Sequence, residues 1–279
     1  MTTLALRQAK GQAALPVKVP APHRAAMRLL PLLVPLILLG LWQAASSGGA
    51  LSSTILPAPL DVARAFLRLL LSGELADHAW TSLLRALSGL AVGGSIAFAL
   101  GLSNGLSRLT ETATDTTIQM VRNIPNLALI PLVILWFGIG EGAKLFLVSF
   151  GVFFPIYINT FHGIRTVDPQ LLEMARSYGF RGVRLFTRVI LPGALPSIFV
   201  GLRYALGIMW LTLIVAETIA AQSGLGYMAM SAREFMQTDV VVLAILIYAL
   251  LGKAADLIVR GLETLTLSWH PAYQKGRGA

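Results

Sequence analysis

Few residues in this 279-residue chain could carry out a reaction. Cysteine is absent and the four histidines stand far apart at 23, 78, 162 and 270, which leaves no thiolate nucleophile, no disulfide framework and no ligand spacing for a metal. Gly101-x-Ser103-x-Gly105 matches the pattern of a serine nucleophile elbow, but the elbow requires a strand, a sharp turn and then a helix. The apolar run around Ser103 offers only helix. An intramembrane protease built on Ser103 would also need a histidine, and His162 falls at the inner end of a later run with no spacing that pairs the two. Of the five lysines only Lys253 follows a glycine, and it lacks the second glycine and the Ser or Thr of a phosphate-binding loop. The sequence predicts no catalytic residue, no metal site and no cofactor in this chain.

What remains is polar residues where polarity is costly. Glu217 sits in LGIMWLTLIVAETIAAQ, either as a hydrogen-bonded packing carboxylate or as a residue shaping a pathway or its gate. Arg122 and Asn123 precede Pro125 and Asn126 in DTTIQMVRNIPNLALIPLVILWFGIG. Pro125 and Pro131 each remove a backbone donor and predict a kinked helix, of the kind tolerated where it lines a cavity. A charge near the membrane centre costs about 2.5–3.5 kcal/mol, which favours Arg122 as an anchor at the cytoplasmic interface over a charge facing a water-filled route. Arg122, Asn123, Pro125, Asn126 and Glu217 are the candidates for a translocation pathway.

These residues are costly because most of the chain is lipid-soluble: 56% of it is hydrophobic and 13% charged, with a mean hydropathy of +0.73. An ordinary soluble domain is nearer one quarter charged. Apolar runs at about 29–45, 83–103, 117–137, 144–162, 195–221 and 240–258 each approach the roughly 20 residues that cross a bilayer. They predict an all-α polytopic membrane protein with six transmembrane helices. With the N-terminus inside, segments 1–28, 104–116, 163–194 and 259–279 hold fourteen Lys and Arg, against three in 46–82, 138–143 and 222–239. The bias predicts N-in, C-in topology and accounts for the net charge of +9 without nucleic acid. Arg85, Arg122, Lys144, Arg203 and Lys253 fall within the helical stretches.

The first run imitates a signal peptide with AASSGGA at 44–50, but 28 residues before its core favour a retained anchor. Residues 1–26 are expected to form a disordered basic cytoplasmic tail, 27–273 one membrane domain, and 274–279 a short cytoplasmic tail. In the first outer segment, Val62, Phe66 and Leu69 share a face opposite Arg64 and Arg68, as in an interfacial helix. Gly89, Gly93, Ala97, Gly101 and Gly105 form a stripe at spacing four, which predicts close helix packing.

The charged stretch EMARSYGFRGVRLFTRVILPGALPSIFVG lies between two spans. Asp168-Pro169 is a helix start, with an N-cap oxygen followed by a proline whose missing N–H is harmless. Leu171, Leu172, Ala175 and Tyr178 fall on one side, and Glu173, Arg176, Ser177 and Phe180 on the other. Gly179 is expected to end the helix in the left-handed conformation. A short amphipathic helix of this kind rests one face on the membrane domain and offers the other to a partner.

Glu173-x-Ala175-x-x-x-Gly179, nine residues, then Val189-x-Leu191-Pro192 resembles the EAA signature of the permease subunits of bacterial ABC importers, with Met174 and Val189 departing from its usual residues. LPAP at 56–59, RNIPNLALIPLVILWFGIG, FPIYINTFHGIR and AETIAAQSGLGYM extend the likeness over residues 27–273, to the sulfonate, taurine and nitrate branch and most of all to the aliphatic sulfonate permeases. The resemblance implies a type I importer permease (MetI-like) fold in the bacterial inner membrane. It implies that the loop 168–192 docks on an ATPase, through Glu173, Ala175, Arg176, Ser177, Gly179, Phe180, Arg181 and Pro192. The implied partners are a second copy of the chain, two ATP-binding subunits that hold ATP and Mg, and a periplasmic substrate-binding protein. Transport would be of aliphatic sulfonates by alternating access; taurine or nitrate are the alternatives, and taurine's ammonium would call on Glu217. An ion-coupled secondary transporter would show internal repeats, and none is visible.

Overall fold

The computed structural model describes residues 21–48, 52 and 55–269, except for the side chains of 21–32 and 220. Every regular element among them is helical. The expected tail over 1–20 and the C-terminal tail lie outside the described residues. Residues 21–26, assigned to that tail from composition, are instead the first turns of helix α1 (Ala21–Ser47). Pro22 falls in the first turn, where its missing N–H costs nothing. The chain divides into two compact units at Ser52 and Ser53. In the first, the apolar side chains of α1 from Leu33 to Leu41 are exposed.

The second unit begins with α2 (Pro59–Leu71), which starts on a proline and buries Val62, Ala65 and Leu69. This face packs on α11 (Thr238–Thr266) and α3 (Glu74–Leu106), and Arg68 reaches Asp239 at 3.6 Å. The face expected to rest on the membrane surface therefore covers the protein's own helices. Apolar side chains at i, i+3 and i+7 suit either surface, and the sequence does not distinguish them.

The centre of the fold is the packing of α3 on α6 (Glu141–Arg165), and of α6 on α9 (Leu191–Ala220). Gly89, Gly93, Ala97, Gly101 and Gly105 are all buried on α3. A Cβ at Gly101 would stand 2.8 Å from the carbonyl oxygen of Tyr157, and one at Gly93 would overlap the backbone of Ser149. The Ser149 hydroxyl in turn donates to the carbonyl of Gly89 at 3.1 Å. Removing side chains lets two backbones approach, and dispersion and weak polar contacts then hold them in lipid, where apolar burial alone gives little.

Helix α4 (Arg108–Arg122) is capped by Ser107, whose hydroxyl accepts from the Thr110 amide. It stops at Asn123, and a 3₁₀ turn (Asn126–Leu129) leads into α5 (Ile130–Phe137). The two halves are bent by 84°. The break is at Pro125 alone. Pro131, expected to kink the helix as well, lies in the first turn of α5, where no amide is required.

Beyond α6, the loop carries α7 (Pro169–Ser177) and α8 (Gly182–Leu185). A π turn over Phe186–Ile190 then joins α9, so that one helix runs from Gly182 to Ile219. Pro192 follows that wide turn after one residue; a proline cannot donate to the turn before it, and a π turn absorbs the missing bond. Helix α10 (Leu225–Glu234) and α11 complete the chain.

Among the described residues, four helices, at 74–106, 141–165, 182–219 and 238–266, are long and apolar enough to cross a membrane. The bent pair 108–122 and 126–137 makes a fifth if counted as one span. The remaining expected run, 29–45, falls on α1, where Leu33–Ser47 is apolar but shorter.

Candidate functional site

The charged loop folds as its local chemistry dictates. The Asp168 carboxylate accepts from the Gln170 amide at 2.8 Å and caps α7. At the other end the Phe180 amide bonds the Ala175 carbonyl and the Gly179 amide bonds that of Arg176, with Gly179 at φ +81°. This pair of bonds is the Schellman closure of a helix, and it requires the left-handed conformation that glycine adopts without strain. Of the side expected to rest on the membrane domain, Ala175 is buried, at 4% exposure, and Leu172 half-buried, while Leu171 and Tyr178 are exposed. Phe180, expected to be exposed, is half-buried, with the Arg184 guanidinium 4.8 Å from its ring centre. The reversal at Gly179 turns Phe180 back toward the helix, which residue spacing at 100° does not anticipate. The exposed surface of the loop thus combines Leu171, Met174, Tyr178 and Val183 with Glu173, Arg176, Ser177 and Arg181, all of them exposed.

A second site lies where the chain breaks between α4 and α5. A cleft of about 460 Å³ is lined by Arg122, Pro125 and Asn126 from the break, by Phe150, Phe154, Ile158 and Asn159 from α6, and by Tyr204 and Ile208 from α9. Its α6 and α9 walls are the middle turns of those helices. The Asn126 amide donates to the Thr212 hydroxyl at 3.0 Å and so ties the 3₁₀ turn to α9. An apolar hollow of about 520 Å³ shares Phe150 and Phe154 as a wall. Asn123 does not line the cleft; its amide donates to the Gln119 carbonyl.

Glu217 lies elsewhere. It is 1% exposed, and its carboxylate accepts from Ser82 Oγ (2.8 Å), Arg85 Nη1 (2.8 Å), the Gly226 amide (2.9 Å) and Tyr248 Oη (2.8 Å). Arg85 also donates from Nε and Nη2 to Glu141 at 2.7 and 2.6 Å, and to the carbonyl and hydroxyl of Ser223. Lys144 joins Glu141 at 2.8 Å. Ser82 accepts from the Leu225 amide, and His78 Nδ1 from that of Gly224. The turn between α9 and α10 is thereby clamped to α3, α6 and α11. A buried carboxylate surrounded by donors is satisfied in place.

Sequence reasoning set aside Arg85 and did not single out Ser82, Glu141, Ser223 or Tyr248. A signal existed, because a carboxylate inside a span needs a buried donor, and Arg85 is a cation inside another span. Which cation pairs with which acid depends on helix order and register.

The sequence matches the family described as binding-protein-dependent transport system inner membrane component over residues 89–266. It is 60% identical to the aliphatic sulfonates transport permease protein SsuC of Escherichia coli (strain K12), across 88% of this chain and 94% of that one. The Bacillus subtilis (strain 168) protein of the same name is 45% identical, across 87% and 88%. The taurine transport system permease protein TauC of E. coli is 35% identical, across 85% and 88%. With its long apolar helices and this match across most of its length, the chain belongs to the family of inner membrane components of binding-protein-dependent transport systems and is a multi-pass inner membrane protein.

Proposed function

We propose that this chain is the membrane-spanning permease subunit of an ATP-driven importer, that two copies form the pathway, and that its cargo is an aliphatic sulfonate. The observation that carries the reading is the 60% identity to a permease named for aliphatic sulfonates, sustained over almost the whole of both chains. The lower identity to the taurine permease makes taurine the second candidate. Two ATP-binding subunits, which hold the ATP and Mg, sit on the cytoplasmic side against the loop 168–192, and a soluble binding protein delivers cargo outside. The N- and C-termini are cytoplasmic.

The geometry supports a division of labour. Helix α7 presents exposed Leu171, Met174 and Tyr178 beside Glu173 and Arg176, an apolar centre with a charged rim of the sort that protein partners bury. The loop is continuous in one direction with α9 through Gly182 and in the other with α6 through Arg165. Displacement of the docked loop by the ATPases therefore acts on the two helices that wall the central cleft. Rigid-body rocking of two permeases then exposes the pathway to alternate sides.

The test is reconstitution. In proteoliposomes, alkanesulfonate uptake should require the permease, the ATPase and the binding protein together, with excess alkanesulfonate competing better than taurine and nitrate competing little. Uptake by the permease alone on an ion gradient would overturn the mechanism; better competition by taurine would overturn the cargo.

A further inference from the structure

We propose that the cleft at the α4–α5 break is an intramembrane subsite for a tailed organic anion, with Arg122 receiving the anionic headgroup and Phe154, Ile158 and Ile208 the apolar tail. The proposal deepens the importer reading and rests on it for the identity of the anion.

Five cations stand inside the helical stretches, and four have carboxylate partners. Arg85 pairs with Glu141 and Glu217, Lys144 with Glu141, Arg203 with Asp256 and Glu263, and Lys253 with Asp256. Arg122 has no hydrogen bond or ion pair among the described residues. Its neighbours across the cleft, Phe150 to Asn159 and Tyr204 to Ile208, are mid-helix residues of α6 and α9. A cation left against lipid is costly, up to about 2.5–3.5 kcal/mol at the centre of a span, and a cavity that water or a ligand fills relieves that cost. The 84° break at Pro125, just beyond Arg122, supplies one, because interrupted helices in membranes are tolerated where they line cavities and commonly mark binding sites.

A second copy of the chain does not supply the missing anion from its spans. Apart from Asp77 in the first turn of α3, the carboxylates there are engaged: Glu111 with Arg165, Asp115 with the Tyr157 hydroxyl, Glu141 and Glu217 with Arg85, Asp239 with Arg68, and Asp256 and Glu263 with Arg203. The partner of Arg122 is thus a mobile anion. A guanidinium fork matches the oxygens of a sulfonate in a bidentate manner. The cleft, of about 460 Å³, falls in the range of small-molecule pockets. Its remaining wall is mainly apolar, with Asn126, Asn159 and Tyr204 as its polar residues, and favours an anion with a hydrocarbon tail over one without. No carboxylate lines the cleft to meet an ammonium, so it selects alkanesulfonate over taurine.

The chain has no cysteine, so Ile158→Cys introduces a single reporter on the cleft wall. The complete importer in phosphatidylcholine nanodiscs is alkylated with N-ethylmaleimide, with and without hexanesulfonate. Hexanesulfonate should slow alkylation; Arg122→Gln should abolish the protection and Arg122→Lys retain part of it, while hexanol and nitrate protect little. Arg122→Gln should lower sulfonate uptake about tenfold, the loss of one charge-assisted contact, with the ATPase subunits still bound. Should Arg122→Gln not assemble, Ile208→Trp, which fills the cleft and keeps the charge, should likewise lose protection. Absent protection, protection that survives Arg122→Gln, or unchanged uptake overturns the subsite. Protection by phosphatidylglycerol in the disc but not by hexanesulfonate assigns the cleft to lipid and also overturns it. Hexanesulfonate protection without any sulfonate import leaves the subsite standing and sinks the importer's cargo; import without protection does the reverse.

Discussion

Arg85 and Glu217, separated by 132 residues, meet at 2.8 Å in the interior, and each has further partners on a third helix: Arg85 bonds Glu141 on α6, and Glu217 bonds Tyr248 on α11. Removal of one partner leaves the other charged and unpaired. Glu217→Ala is predicted to destabilise the protein by about 3–5 kcal/mol, the usual cost of breaking a buried pair. Thermal denaturation of the detergent-solubilised protein measures it, and Arg85→Met with Glu217→Leu should recover part of the loss. An unchanged melting temperature in Glu217→Ala would show that the clamp contributes nothing.

The closure of α7 makes a separate prediction. Gly179 has φ +81° with open space around its Cβ position, so a side chain there meets no clash but strains the backbone by about 1–2 kcal/mol. Gly179→Val should insert normally, displace Phe180 and Arg181, and weaken recovery of the ATPase in pull-down. Wild-type recovery with wild-type uptake would contradict the docking role.

The close approach of α3 and α6 predicts a size limit. A side chain at Gly101 has the Tyr157 carbonyl 2.8 Å and Thr160 Cβ 2.9 Å from its first carbon. Gly101→Leu should cost about 1–3 kcal/mol, the range typical of overpacking, read as lower yield and melting temperature. Gly261→Leu, at a glycine with nothing near its Cβ position, should be tolerated.

Topology is open to cysteine labelling. Ser72→Cys and Gln222→Cys, both exposed, should react with a membrane-impermeant maleimide in intact cells, and Ser177→Cys only after permeabilisation. The reverse pattern would overturn the orientation and the docking of the loop. Ser223 is a poorer reporter, since its hydroxyl and carbonyl are held by Arg85.

Sequence by itself determined the features that depend on local chemistry and on the bilayer. Apolar runs located the helices because each must satisfy its own backbone in lipid. The Asp168 cap, the left-handed Gly179 and the small-residue stripe of α3 follow from the stereochemistry of single residues and from spacing along one helix. Tertiary structure decided what depends on neighbours: that α2 buries its apolar face on α11 and α3, that Pro125 bends its helix while Pro131 does not, and that Phe180 turns inward. It also decided the fates of the two polar residues that stood out at the start. Glu217 has Arg85, Ser82 and Tyr248 around it, whereas Arg122 has no carboxylate partner among the described residues. Both are charges in apolar sequence; only the order and register of α3, α6, α9 and α11 place donors around one and a cleft beside the other.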